Sequence, residues 1–140
     1  MAQIKLTSLI KKIEDGLQKV RNEFLLNMAE DVVTSSKPTV DTGAYITSHS
    51  IRTTRGAGRS RTSHNKPTGQ NPEVKAAEAL AQLKGDIASL PDDQTQVFLT
   101  NNAPHANIVE YSHGYAVYEG VRNRAKYHLE KAINEVKGGR

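Results

Sequence analysis

The chain has 140 residues, a formal net charge of +4 and an apolar fraction of 36%, with no cysteine and no tryptophan. That length suits one domain, residues 1–140, and the missing cysteine excludes disulfides, thiolate catalysis and cysteine-based zinc sites. No run of about eighteen apolar residues occurs, and MAQIKLTSLIKKIEDG lacks an h-region and a cleavage site, so neither a membrane span nor a secretory signal is expected.

The first predicted element is a long helix over LTSLIKKIEDGLQKVRNEFLLNMAEDVV. Leu6, Leu9, Ile13, Leu17, Val20, Phe24, Met28 and Val32 recur at spacings of three and four, as one helical face requires. Thr7 or Ser8 could cap a late start, and Pro38 forbids continuation. If continuous, the helix is roughly 40 Å long at 1.5 Å per residue. A stripe of that length outruns a small sheet, and the modest apolar content predicts that another subunit covers part of it.

Residues 37–71 contrast with this. Val40 to Ile51 is expected to supply a strand or two, since Tyr45, Ile46 and Ile51 are β-formers. From Thr42 to Pro72 there is no acidic residue, whereas Arg52, Arg55, Arg59, Arg61 and Lys66 are all basic. The stretch from about 53 to 71 is Gly, Ser, Thr, Arg and Pro with no apolar anchor beyond Ala57. It cannot bury enough surface to offset its ordering entropy, so a flexible basic loop is predicted there. Such a loop is expected to stay solvated and order on assembly, or to contact an acidic protein surface or the phosphates of nucleic acid. No aromatic residue lies between Arg52 and Lys66, so base stacking is not expected.

Asn71-Pro72-Glu73 then predicts a sharp helix start, with Asn as N-cap, Pro at the first position and Glu at the positive dipole end. Ala76, Leu80, Leu83, Ile87 and Leu90 mark one face, and Pro91-Asp92-Asp93 turns the chain. TQVFLT predicts a short strand buried on both faces. Asn101 to Pro104 forms the next turn, Ala106 to Tyr111 a helical turn or strand start, and Tyr115 to Tyr118 one more strand. A last helix carries Val121, Ala125, Leu129, Ala132 and Val136 on one stripe, closed by Gly138-Gly139. The sum is an α+β fold: a small, mostly antiparallel sheet packed by N-terminal, middle and C-terminal helices.

Three clusters invite chemistry. Asp41-Thr42-Gly43-Ala44 matches the turn of dimeric aspartic proteases, whose paired carboxylates share a proton. Here a Pro-Thr turn precedes it and a basic loop follows, where a protease places apolar strands. A plain turn, with Asp41 taking a nearby backbone N–H and Gly43 at positive φ, is the simpler expectation. His105, Glu110 and His113 could ligate zinc, yet they do not share one helical face. A structural corner is expected instead: Asn102 and Pro104 end the strand, and Glu110 and Tyr111 fix the following loop by hydrogen bonds. No catalytic residue, cofactor or metal is implied.

Pro38-Thr39-Val40-Asp41-Thr42-Gly43 followed by Ser50-Ile51 resembles the opening motif of tailed-phage tail-completion (neck) proteins. Val97 to Pro104, with Ala106, Val109, Glu110 and Tyr111, is similar to that family's strand and N-x-x-P-Y-A-x-x-x-E-Y-G motif, and Gly120-Val121-Arg122 to its entry into a C-terminal helix. His105 replaces the usual tyrosine, Ser112-His113-Gly114 stands where Gly-His-Ser is common, and Tyr118-Glu119 replaces a proline. The resemblance covers most of the chain outside the basic loop. It implies a non-enzymatic virion protein at the head–tail junction, assembled in the host cytoplasm into a homo-oligomeric ring, with a hexamer favoured. Tail-tube, tail-terminator or head-connector proteins would be its partners, with non-specific contact to DNA in the lumen and no membrane contact.

Overall fold

The computed structural model describes residues 1–13, 18–112 and 114–137, with backbone only at 111 and 112. Its elements in chain order are β1 (Ala2–Lys5), α1 (Thr7–Ile10), α2 (Gln18–Ser36), β2 (His49–Arg52), α3 (Pro72–Ala88), β3 (Phe98–Asn101) and α4 (Val117–Lys137). Short 3-10 turns cover Lys37–Thr39 and Ile46–Ser48, and a π-helical turn covers Ile108–Ser112. The sheet is antiparallel with order β1-β3-β2, and Leu99 of the central strand faces both Ile4 and Ile51. The α+β class predicted above is therefore the class observed.

The N-terminal helix is not one element. Residues 2–5 pair with β3 instead, and Leu6 N–H extends that edge to Val97 O at 2.8 Å. After α1, Lys12 and Ile13 donate to carbonyls three residues back, the tightened pattern of a helix end. Cross-strand bonds thus take the backbone that helical periodicity assigned to the helix start. Neither Thr7 nor Ser8 caps α1; Leu6 holds that position without a side-chain bond. Leu17 lies outside the described residues.

The expectation that α2 leaves apolar surface for a partner is also corrected. Its 19 residues span roughly 28 Å. Phe24, Met28 and Val32 are fully buried between α3 and α4. The helix stops at Ser36, ahead of Pro38, as expected. Asp31 joins it to α4: Arg124 donates to both carboxylate oxygens (2.8 and 2.9 Å), and His128 Nε2 lies 2.6 Å from Oδ2. Burial alone would raise the Asp31 pKa, but these hydrogen bonds hold it below the usual carboxylate range.

The middle helix starts as predicted, with Asn71 Oδ1 accepting from Glu73 N–H (2.8 Å) and Val74 N–H (3.2 Å). β3 is buried along its whole length. The strand predicted at Tyr115–Tyr118 is absent, because α4 already begins at Val117. Ala116 sits at φ +46, where it reverses the chain between the π-helical turn and α4. Of the one or two strands expected from Val40 to Ile51, only β2 forms, preceded by a 3-10 turn. The predicted Gly138-Gly139 stop lies outside the described residues.

Candidate functional site

The Asp41 turn has Gly43 at positive φ as expected, but Asp41 takes its N–H partner from the end of the basic segment and not from a nearby residue. Gly43 has φ +85, Asp41 Oδ1 accepts from Gly69 N–H at 2.9 Å, and Asp41 O accepts from Gln70 N–H at 2.8 Å. The side chain is exposed and staples the end of the basic segment to the turn. This turn and the Pro104–Val109 corner border a groove of about 360 Å³ that includes His105 and Tyr115. His105 stacks obliquely on Tyr45, with centroids 6.4 Å apart.

The corner itself is a buried polar junction. Ala106 and Val109 point into the core as expected. Glu110, buried, accepts at Oε1 from Tyr45 OH (3.1 Å) and from Tyr118 N–H (2.7 Å). The second bond caps α4 from outside the helix, with a carboxylate placed at the positive end of its dipole. Tyr115 and Ala116 N–H groups donate to Val109 O and Glu110 O, closing the loop. Glu110 therefore fixes the following loop as predicted. The Tyr111 side chain and His113 lie outside the described residues. Among the described residues no group of three or more His, Asp or Glu side chains is placed to hold a metal. Asn102 donates to Gly56 O at 2.6 Å, tying the strand end to the basic segment, and Pro104, exposed, opens the turn after it.

Beside Glu110 lies a residue that sequence patterning missed. His49 is fully buried, with Nε2 at 2.8 Å from Ser36 Oγ and Nδ1 at 2.9 Å from Tyr118 OH and 3.1 Å from Asn101 Nδ2. This contact set superficially matches a Ser-His-Asn triad. Proton bookkeeping rules that out. Ala103 N–H donates to Asn101 Oδ1 (3.0 Å), so the Asn101 amide turns its Nδ2 donors toward Tyr45 O and His49 Nδ1. His49 Nδ1 must then accept, and Nε2 carries the proton and donates to Ser36 Oγ. The Ser36 hydroxyl hydrogen goes to Val32 O at 2.6 Å. A serine that receives a proton from the imidazole is not activated by it, and neither side chain reaches solvent. Burial lowers the His49 pKa to about 3, keeping the ring neutral, and raises those of Tyr45 and Tyr118 well above the ordinary phenol range.

Arg52 belongs to β2 and not to the loop, and the five basic residues are put to different uses. The segment 53–71 has no helix or strand, as composition predicts. Arg59 bridges Asp86 through both guanidinium ends (2.7 and 3.0 Å) and also donates to His49 O at 2.8 Å, and Arg52 Nη1 lies 2.7 Å from Asp86 Oδ2. Asp86 Oδ2 accepts Ile51 N–H at 2.9 Å. The outer edge of β2 is thus closed by a guanidinium–carboxylate pair where a further strand would otherwise dock. Alongside, Arg59 N–H and Arg61 N–H donate to Ser50 Oγ (2.8 Å) and Ser48 Oγ (2.9 Å). Arg55 lies over the Phe98 ring at 5.6 Å, a cation–π contact. Arg61 and Lys66 remain exposed and lie together beside the Asp41 turn.

Gly58 makes the approach possible. It has φ +138, and a Cβ there would sit 2.5 Å from Ser50 Cβ. Gly58→Ala is expected to lower stability by about 1–2 kcal/mol through strain and displacement of Arg59. Urea denaturation checks this; an unchanged midpoint would show that the segment does not rely on the close approach.

No protein-family model, curated protein or solved structure matches the chain. No described helix is long and apolar enough to cross a membrane.

Proposed function

We propose that this chain is a virion protein of a tailed phage that completes or joins the tail at the head–tail interface by assembling into a ring, and that it acts by binding alone. One observation carries this. The three stretches behind the family resemblance, some 80 residues apart at their extremes, meet in one buried corner. Tyr45, after the Asp-Thr-Gly turn, bonds Glu110 of the second motif, and Glu110 in turn caps the helix that carries Gly120-Val121-Arg122. These residues build the body of the subunit. Arg122 adds to the same construction by donating to Gln3 O of β1 at 2.9 Å.

Light scattering and negative-stain imaging of the purified protein, with and without tail-tube or connector protein, test the proposal. Rings, or co-assembly with either partner, are the expected result. A strictly monomeric species that joins neither would overturn it. A protease based on Asp41 finds little support in an exposed carboxylate already engaged by Gly69 N–H.

A further inference from the structure

A polar groove of about 330 Å³ lies between the Asp41 turn, the 60–66 stretch and the first turns of α3. Arg61, Lys66 and Lys75 line it with hydroxyls from Thr42 and Thr62, against a single carboxylate, Glu78, which pairs with Lys75 at 3.4 Å. Arg61 is held in place by uncharged acceptors, Thr47 O at 3.1 Å and Gln82 Oε1 at 2.7 Å. Its guanidinium is oriented without those contacts neutralising it. The groove therefore offers fixed positive charge and hydroxyl donors to an anionic group.

The opposite end of α3 carries the complement. Asp92 and Asp93 are exposed on the turn that follows the helix. Buried Arg21 fixes that turn from beneath by donating to the carbonyls of Pro91 (2.6 Å), Asp92 (3.3 Å) and Gln94 (3.0 Å). From Lys75 and Glu78 in the groove to the end of α3 at Ala88, the two features are separated by about 15–20 Å of helix. Arg61 and the backbone of the acidic turn are thus already fixed by hydrogen bonds, which lowers the ordering cost of contact.

We infer that the Asp92-Asp93 turn of one copy docks in the Arg61–Lys66–Lys75 groove of the next. The contact joins two different surfaces, so it is heterologous and repeats head to tail, the kind that closes into rings. A nucleic-acid strand fits the groove less well, since no aromatic side chain lines it to stack a base. The inference rests on the ring assembly proposed above and assigns that assembly its contact.

Sedimentation velocity of the full chain tests it with two charge-reversed variants, Asp92→Lys/Asp93→Lys and Arg61→Glu/Lys66→Glu. Each alone should associate roughly tenfold or more weakly than the parent, whose own association should weaken between about 50 mM and about 500 mM salt. An equimolar mixture of the two should recover association, because each then presents the surface the other lacks. Circular dichroism confirms folding, and Lys66→Glu alone carries the same prediction should the double variant unfold. If the parent forms rings and the variants form them equally, or the mixture fails to recover, this contact is overturned and the ring proposal stands. If the parent never associates with itself or a tail protein, both fall. Loss of DNA retention by Arg61→Glu/Lys66→Glu with unchanged sedimentation would also overturn the contact and assign the groove to phosphates.

Discussion

Replacing Asp86 with alanine is expected to lower the unfolding free energy by about 3 kcal/mol and to make the folded protein prone to associate through its sheet edge. The carboxylate is buried and gathers three donors: Arg52, Arg59 and the Ile51 N–H. Its removal strands the Arg59 guanidinium, whose side chain is only 19% exposed, without its anion. It also leaves an unpaired N–H on the edge of β2. Asp86→Asn should fall between parent and alanine, since the amide oxygen can still accept from Ile51. Arg52→Ala should lower stability by about 1 kcal/mol, because that side chain is more than one-third exposed and Arg59 remains on Asp86. Urea midpoints and concentration-dependent scattering would check the series. Equal midpoints for Asp86→Ala and Arg52→Ala would show that the carboxylate does not anchor the edge.

Acidification should produce the second large effect. His49 binds a proton in the unfolded chain near its ordinary value of 6.5 but, when folded, only near 3. Below about 6.5 the unfolded state therefore holds more protons than the folded one, and stability must fall as pH falls. The slope approaches about 1.4 kcal/mol per pH unit below pH 6, which sums to about 2 kcal/mol between pH 6.5 and 4.5. His49→Leu should flatten that limb while lowering stability at pH 7 by about 2–3 kcal/mol, because Asn101, Tyr118 and Ser36 lose their shared partner. Glu23 titrates above its ordinary range because of the neighbouring Glu135, and it acts in the opposite sense. The difference between the two proteins cancels it. Parallel pH profiles for parent and His49→Leu would show that His49 is not kept neutral by the fold.

The parts of the structure written in local chemistry were legible in the sequence. Asn71-Pro72-Glu73 specifies a helix start through groups one to three residues apart, and Gly43 marks its turn locally, whereas the Asp41 carboxylate closes on Gly69, far along the chain. What escaped depends on partners far along the chain. Thr47-Ser48-His49-Ser50 carries no aliphatic side chain, yet all four are buried. Their polar atoms are satisfied by Ser36, Arg59, Arg61, Asn101 and Tyr118, which no spacing rule connects. A trace of this was present: Asp86 falls on the same stripe as Ala76, Ala79 and Leu83, and an acid there demands a cation. β1 was hidden because four residues carry too little alternation to compete with the helical pattern that follows them. The loop arginines were recognised as a group, but their inward use by β2 was not, since the charge run alone does not show which cation meets which anion.

The central position of β3 has a consequence for how the molecule is made. β1 and β2 each pair with β3 and not with each other. As the chain leaves the ribosome, the segments at 2–5 and 49–52 emerge with no strand to bind until residues 98–101 follow. Pairing across such separations is slow relative to helix formation. Until β3 is made, the nascent segment can thus settle only its helices, and the sheet is completed by the strand that arrives last.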